Sequence, residues 1–231
     1  MEAPGFLTLL YIMVTLPEKQ GLSTLPWGNW VMGGMFTTHY IYRALLCPLL
    51  NPSMSPIHPF VWASALSFQV ANGTSIGGWL GGYGPTTREE WTGSALRVEV
   101  GMMIWAVALM FNMYHDDELR EIRRAAARNQ KRRQESKAGD ENKERPNVDK
   151  VYMMPENGLF RLILFPHYFT EWIEWCGFWM VGGLHCAPAR IFVVNEVFTM
   201  LARAVQGRQW YIEKFGRAKV GNRKAAIPWL I

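Results

Sequence analysis

The sequence predicts an all-α protein with several membrane-spanning helices, and three observations support that prediction. Apolar residues make up 49% of the 231 residues, whereas charged residues make up only 19%. Eleven of the 24 Lys and Arg residues lie between positions 120 and 150 and seven between 203 and 224, so the rest of the chain is strongly apolar. Several apolar stretches have the ~20 residues that an α-helix needs to cross ~30 Å of hydrocarbon.

Six apolar stretches define the expected helices. They cover positions 5–16, 29–50, 59–80, 94–114, 158–184 and 187–205. The first stretch is too short to cross a bilayer, so we expect about five complete spans and one partial span. Because the sequence opens on this partial span, we also expect N-terminal sequence to be missing.

The positive charges predict the topology and the division of the chain. Lys and Arg are enriched in cytosolic segments of membrane proteins. We therefore expect two membrane segments, 1–114 and 158–206, with a cytosolic charged loop at 115–157 and a cytosolic basic tail at 207–231. Arg43, at the end of the second stretch, falls on the same side as the loop and the tail.

Composition also argues against two other classes of protein. The segment 116–150 contains nine acidic residues beside its basic ones, whereas a nucleic-acid-binding protein needs an unopposed basic face. The three cysteines form neither an even set nor a CxxC pair, so a disulfide scaffold or a cysteine zinc site is not expected.

Polar residues at the end of the fourth stretch share one face of a helix if that helix continues. Asn112, Asp116, Arg120 and Arg123 then lie within about 80° of one another, at about 100° per residue. Paired Arg side chains suit a diphosphate, while Asp and Asn suit hydroxyl groups or a carboxamide. The alternative is an ordinary helix end with internal salt bridges.

The fifth stretch contains ionisable residues that are costly inside a membrane. His167, Glu171 and Glu174 fall on one helical face. Three interpretations remain open: an iron site, a binding site for a polar cofactor or substrate, and ion pairs with Arg from neighbouring spans. Elsewhere, Gly73 and Gly77 predict close helix packing.

Several blocks, in the right order, resemble the steroid 5α-reductase (3-oxo-5-alpha-steroid 4-dehydrogenase) family over nearly the whole chain. Positions 158–178 resemble its G-L-F and E-I-I-E-W-x-G-[YF] patterns, and 210–229 resemble its terminal [WF]-Y-x-x-[KM]-F and R-K-A-x-I-P-F patterns. Positions 112–123 resemble N-x-H-x-D-x-x-L-R-x-x-R. Positions 39–43 resemble H-Y-x-H-R, and 68–77 resemble F-x-x-x-N-G-x-x-x-G.

The resemblance implies a seven-helix reductase of the endoplasmic reticulum membrane that uses NADPH. Such an enzyme reduces a C=C bond conjugated to a ketone in a steroid or terpenoid lipid, with hydride added to the β carbon and a proton to the α carbon. Glu2 and Tyr40 would hold the substrate carbonyl. No metal is implied. The implied cofactor-binding residues are Asn112, Asp116, Arg120, Arg123, Tyr152, His167, Glu171 and Tyr211.

Three alternatives differ in substrate or in class. The same fold could reduce an enoyl thioester or a polyprenol. A shortened, non-catalytic relative could bind only lipid or a protein partner. A methyltransferase of the isoprenylcysteine type would need a C-terminal Arg and Glu-Glu pattern that we do not find.

Overall fold

The computed structural model describes residues 2–52, 56–138 and 152–231, most of which are helical. The all-α prediction is confirmed for these residues. Two π-helical turns, Tyr42–Leu46 and Trp79–Tyr83, and a 3₁₀ turn at Gly158–Arg161 supplement the α-helices. The α-helices are α1 (Ala3–Lys19), α2 (Trp27–Ile41), α3 (Cys47–Leu50), α4 (Pro59–Gly78), α5 (Arg88–Thr92), α6 (Ala95–Ala138), α7 (Pro166–Gly182), α8 (Ala187–Phe215) and α9 (Arg217–Val220).

The chain forms two compact units. Unit 1 comprises Met1–Met110 and Thr170–Met200, and unit 2 comprises Phe111–Phe169 and Leu201–Ile231. The centre of unit 1 is an apolar core of aromatic and aliphatic side chains, in which Phe36, Trp175 and Phe178 are fully buried. The boundaries predicted at 114, 157 and 206 follow chemical composition and stay a prediction.

The helices differ from the apolar stretches at their ends. α7 begins at Pro166 rather than at position 158, because residues 158–165 form the 3₁₀ turn and an irregular segment before the proline starts the helix. α6 continues well beyond position 114, to Ala138. α8 likewise extends beyond the apolar stretch at 187–205, since it ends at Phe215.

Among the described residues, one helical segment, Ala95–Asn129, is long enough and contains a sufficiently apolar part to cross a membrane. α1 and α7 have only 17 residues each. α8 is longer, but it contains charged residues such as Arg190 and Glu196. Among the described helices, length and composition thus single out one that could cross a membrane, and the arrangement with five complete spans stays a prediction.

α1 and α4 pack closely because two glycines of α4 lie against the α1 backbone. A Cβ atom on Gly73 would overlap the carbonyl oxygen of Gly5, and one on Gly77 would lie 2.9 Å from the Cα atom of Leu9. The predicted close packing at Gly73 and Gly77 is therefore confirmed. The consequence is that neither position has room for a side chain.

Replacing Gly73 by alanine is expected to destabilise the protein by about 1–3 kcal/mol, because an added methyl group forces α1 away from α4. Gly34 provides the matched control, since a Cβ atom there would meet no other atom within 4 Å. Gly34→Ala should be neutral or slightly stabilising, as alanine favours a helix. Thermal unfolding in detergent measures both variants, and equal melting temperatures would contradict the packing described.

Unit 2 joins the segment before α7 to the C-terminal segment through backbone hydrogen bonds. The Leu164 N–H donates to the Lys224 carbonyl at 2.9 Å, and the Lys224 N–H donates to the Leu162 carbonyl at 3.0 Å. The guanidinium of Arg223 donates to the carbonyls of Pro155 and Lys219 at 3.0 and 2.8 Å. Arg223 therefore ties together two segments that are distant in sequence.

Candidate active site

A buried histidine in unit 1 contacts two carboxylates on the next-to-last long helix. The Nδ1 atom of His39, on α2, lies 2.7 Å from Oε1 of Glu174, and its Nε2 atom lies 3.5 Å from Oε1 of Glu171, both on α7. All three side chains are almost completely buried. Such buried charges need partners, and here α2 supplies them.

Arg43 completes this ionic cluster. Its Nη2 atom lies 3.9 Å from Oε2 of Glu171. One helical turn separates Arg43 from His39, so both reach the same carboxylate. The ring of Trp175 lies 4.6 Å from the His39 ring and forms an apolar wall beside the cluster.

Tyr40 places a phenol hydroxyl next to this cluster. Its Oη atom accepts a hydrogen bond from Nε2 of Gln69, on α4, at 3.2 Å. The hydroxyl thus keeps its own hydrogen for donation. The Tyr40 side chain is buried, and the Phe36 ring packs against it at 4.6 Å.

Three carboxylates interact electrostatically with the Tyr40 hydroxyl: Glu196, Glu2 and Glu171. Glu196, on α8, also interacts with His39 and Arg43. Glu2 and Tyr40, the two predicted carbonyl-binding residues, thus both lie in unit 1 and interact electrostatically. A buried phenol beside carboxyl groups is suited to hydrogen-bond a substrate oxygen and to pass a proton.

In unit 2, the predicted polar stripe lies on one helix, α6. This helix continues beyond position 114, which the prediction of a shared face required. Asn112 and Arg120 are buried. The Nη2 atom of Arg120 lies 3.8 Å from Oδ2 of Asp116, and its Nη1 atom also pairs with Asp117. Part of the stripe thus has the internal salt bridges of the alternative interpretation.

A chain of aromatic rings in unit 2 connects three other predicted residues. The Tyr152 ring lies 5.1 Å from Trp210, which lies 5.1 Å from Tyr211. Phe165 then lies 6.0 Å from Tyr211 and 5.9 Å from His167. Tyr152, Tyr211 and His167 therefore belong to one aromatic surface.

Tyr211 also interacts with two arginines. Burial raises the pKa of the Tyr211 hydroxyl, although the positive charges of Arg123 and Arg223 oppose the shift. The hydroxyl therefore stays protonated at neutral pH and can donate a hydrogen bond. This interaction places Arg123, the outermost residue of the stripe, near the aromatic surface.

His115 links α6 to the segment 158–160. Its Nδ1 atom donates to the Phe111 carbonyl at 2.6 Å, and its Nε2 atom accepts from the Leu159 N–H at 3.3 Å. Gly158 adopts φ = 56°, and a Cβ atom there would lie 2.9 Å from the Tyr114 ring. This segment thus attaches the start of the C-terminal half to α6.

Comparison with known proteins decides the family. A sequence profile described as 3-oxo-5-alpha-steroid 4-dehydrogenase matches residues 55–231. The chain belongs to the 3-oxo-5-alpha-steroid 4-dehydrogenase family. This is a family of oxidoreductases. Its match to this chain extends over the full chain at moderate identity, as the mouse protein described below shows.

Three relatives illustrate the range of this 3-oxo-5-alpha-steroid 4-dehydrogenase family. An uncharacterized protein of Schizosaccharomyces pombe is 37% identical over 208 residues, covering 87% of this chain and 68% of that protein. The mouse protein named 3-oxo-5-alpha-steroid 4-dehydrogenase 1 is 29% identical, covering 100% of this chain and 78% of its own length. The tomato steroid 5-alpha-reductase DET2 is 26% identical, covering 83% and 65% respectively.

The candidate site in this member of the dehydrogenase family also contains residues that the sequence analysis missed. Glu196 and Gln69 were not selected, and His39 was noted only as part of a motif. Glu196 could have been found, because it is an acidic residue within an apolar stretch. Gln69 gave no such signal, since a single amide in a helix is common.

The iron alternative for the fifth stretch gains no support. In the ranges 2–52, 56–138 and 152–231, no group of three or more His, Cys, Asp or Glu side chains is placed to hold a metal ion. Glu171 and Glu174 instead contact His39, and Glu171 also contacts Arg43. Glu171 thus lies in the ionic cluster of unit 1, whereas the other predicted cofactor residues lie in unit 2.

Proposed function

We propose that this protein reduces a C=C bond conjugated to a ketone in a steroid or other flat terpenoid lipid, with NADPH as the reductant. The observation that carries the proposal is the buried Tyr40 hydroxyl, which accepts from Gln69, keeps its own hydrogen and interacts electrostatically with Glu2. The family membership supports steroid double-bond reduction in general. The apolar core around Tyr40 suits a rigid hydrophobic substrate.

Tyr40 and Glu2 would hold the substrate carbonyl oxygen. Negative charge develops on this oxygen when hydride adds to the β carbon, because the C=C electrons move toward the carbonyl. A hydrogen-bond donor fixed at that oxygen stabilises the enolate-like transition state. When the α carbon of the enolate then takes up a proton, the C=O double bond forms again and the product is the saturated ketone.

The ionic cluster would position Tyr40. Glu196 interacts electrostatically with Tyr40. His39 directly precedes Tyr40 in the chain and contacts Glu171 and Glu174. These groups hold the end of α2 in place beside α7. Glu196 would therefore act on the substrate through Tyr40 rather than directly.

The residues of unit 2 fit a dinucleotide in chemical type. When bound, NADPH supplies the hydride. Arg123 would bind a phosphate group, Asp116 and Asn112 would bind hydroxyl or carboxamide groups, and the protonated Tyr211 hydroxyl would donate a hydrogen bond. Tyr152 presents an exposed ring beside Trp210. Arg120 and His167 complete the set proposed in unit 2, and the assignment of Glu171, in unit 1, to the cofactor stays a prediction.

The proposed location is the endoplasmic reticulum membrane, with several spans and with the loop 115–157 and the tail 207–231 in the cytosol. The long apolar part of α6 supports contact with a lipid bilayer. The concentration of Lys and Arg in the loop and the tail supports their cytosolic placement.

Replacing Arg123 by alanine is expected to raise the Kd for NADPH about 10- to 100-fold, the effect of losing charge-assisted hydrogen bonds to a phosphate. The adjacent Arg124 is a matched control, because it pairs with Glu121 at 2.6 Å. Arg124→Ala should change the Kd less than about two-fold. Fluorescence titration with NADPH measures both values, and an equal response would remove Arg123 from the cofactor site.

Product analysis tests the reaction itself. Microsomes containing the full chain, supplied with NADPH and a 4-ene-3-keto steroid, should yield a product with two added hydrogens by mass spectrometry. Parallel incubations with an enoyl thioester and a polyprenol test the alternative substrates. A product from either of these but not from the steroid would overturn the steroid assignment, and no product from any would favour a non-catalytic lipid-binding protein.

A further inference from the structure

Unit 2 contains a cavity that the proposed reaction does not use. The cavity has a volume of about 480 Å³, which lies within the range of small-molecule sites. Its lining comes from the 3₁₀ turn before α7 and from the C-terminal segment after α8. The lining residues are Arg161, Leu162, Lys219, Val220, Gly221, Asn222, Arg223, Lys224 and Trp229.

The charge of this cavity is strongly unbalanced. Four of its lining residues are Lys or Arg, and none is Asp or Glu. Arg223 donates to neutral backbone carbonyls, which satisfy its hydrogen bonds but do not cancel its charge. Lys224 likewise donates to the Leu230 carbonyl at 3.4 Å, and Lys219 lies 5.6 Å from the Phe215 ring. The residues that line the cavity therefore include no carboxylate to balance its positive charge.

The backbone around the cavity is fixed on both sides. Lys224 exchanges hydrogen bonds with Leu162 and Leu164 at 3.0 and 2.9 Å. On the other side, Trp229 has φ = 63°, an uncommon conformation for a residue other than glycine. The N–H groups of Ala226 and Ile227 both donate to the Ile231 carbonyl, at 2.9 and 2.8 Å, and close this turn. A fixed frame of this kind keeps the cationic side chains close together.

The rim of the cavity combines charge with apolar surface. The Trp229 side chain is 81% exposed, and Leu162 is 41% exposed. A ligand with a compact anionic group would neutralise the lysines, while an attached apolar part would cover the exposed rings and methyl groups. Phosphate is the anion for which Lys and Arg clusters are best suited.

We propose that this cavity is a binding site for a phosphate group, held by Lys219, Lys224 and Arg161 within the frame that Arg223 maintains. The phosphate belongs either to the head group of a phospholipid or to a soluble phosphate compound. The site is separate from the NADPH site proposed above, because its residues do not include the polar stripe of α6 or the aromatic surface.

Isothermal titration of the purified full chain in neutral detergent tests this site with three probes: short-chain phosphatidic acid, inorganic phosphate and short-chain phosphatidylcholine. Phosphatidic acid should bind, and phosphatidylcholine should bind at least about ten-fold more weakly. Tighter binding of phosphatidic acid than of inorganic phosphate indicates a lipid head group. Equal affinities indicate a soluble phosphate compound, and both results support the site.

Lys219→Ala and Lys224→Ala should each weaken phosphatidic acid binding about ten-fold, the effect of losing one charge-assisted contact. Arg217→Ala is the matched control, because it removes an exposed positive charge of the same tail that does not line the cavity. It should change the affinity less than about two-fold at physiological salt, where such charges are screened. Lys219→Arg, which keeps the charge, should retain binding even if an alanine variant fails to fold.

Three outcomes would overturn the proposal. One is equal binding of phosphatidic acid and phosphatidylcholine together with no binding of inorganic phosphate. Another is an equal loss of affinity in Arg217→Ala and the two lysine variants, which would indicate diffuse attraction rather than a site. The third is a raised Kd for NADPH in Lys219→Ala and Lys224→Ala, which would make the cavity part of the cofactor site.

Discussion

Replacing Tyr40 by phenylalanine is expected to lower kcat for reduction of the enone about 100- to 1,000-fold, the usual effect of removing a donor to a developing oxyanion. The ring itself is buried against Phe36, and the hydroxyl accepts only from Gln69 among the contacts described for it. Phenylalanine therefore preserves the packing and removes the hydrogen bond to substrate. Steady-state kinetics with NADPH and the steroid measure the change.

A matched variant separates this catalytic effect from a structural one. Tyr11→Phe removes the same group from a tyrosine of α1 whose side chain is exposed and is not among the residues of the candidate site. Its kcat should stay within about two-fold of the parent protein. The Kd for NADPH and the far-UV circular dichroism should be unchanged in both variants. A fully active Tyr40→Phe protein would show that Tyr40 does not hold the carbonyl oxygen.

Replacing His39 by leucine is expected to destabilise the protein by about 3–5 kcal/mol, because it leaves buried carboxylates without their main partner. Glu174 loses the 2.7 Å contact, and Glu171 keeps only the 3.9 Å contact with Arg43 among the ion pairs described for it. Chemical unfolding in detergent, followed by circular dichroism, measures the free energy of unfolding.

The double variant His39→Leu, Glu174→Leu tests whether the pair explains this loss. Removal of both members of a buried ion pair is often neutral, so the double variant should recover a large part of the stability. Glu213→Leu controls for the loss of an exposed carboxylate and should leave the melting temperature unchanged. A double variant less stable than either single variant would indicate that His39 acts through packing with Trp175 instead.

The local parts of the fold were predictable because they depend on neighbouring residues. The spacing of Asn112, Asp116, Arg120 and Arg123 predicted one face of a continuous helix, and α6 provides it. The two glycines at 73 and 77 predicted close packing, and α1 lies against both. Helical ends were harder to place: hydropathy continued across positions 158–165, where hydrogen bonds to Lys224 and Ala225 favour an irregular segment.

The partners of the buried acids were not predictable from local spacing. His39 and Glu174 are separated by 135 positions in the chain, and their contact depends on how α2 and α7 pack. The sequence analysis therefore left three interpretations of His167, Glu171 and Glu174 open. It also missed Glu196, whose interaction with Tyr40 joins residues of α8 and α2.

By itself the amino-acid sequence determined that this protein is helical, that its charges gather in a loop and a tail, and that its motifs are those of a reductase family. These features follow from composition and from helical periodicity, which act over a few residues. Only the tertiary structure decided that Glu171 and Glu174 pair with His39, that Gln69 supports Tyr40, and that four cations line one cavity. Each of these depends on side chains from separate segments meeting in space, and burial in an apolar core or within a fixed backbone makes those meetings energetically important.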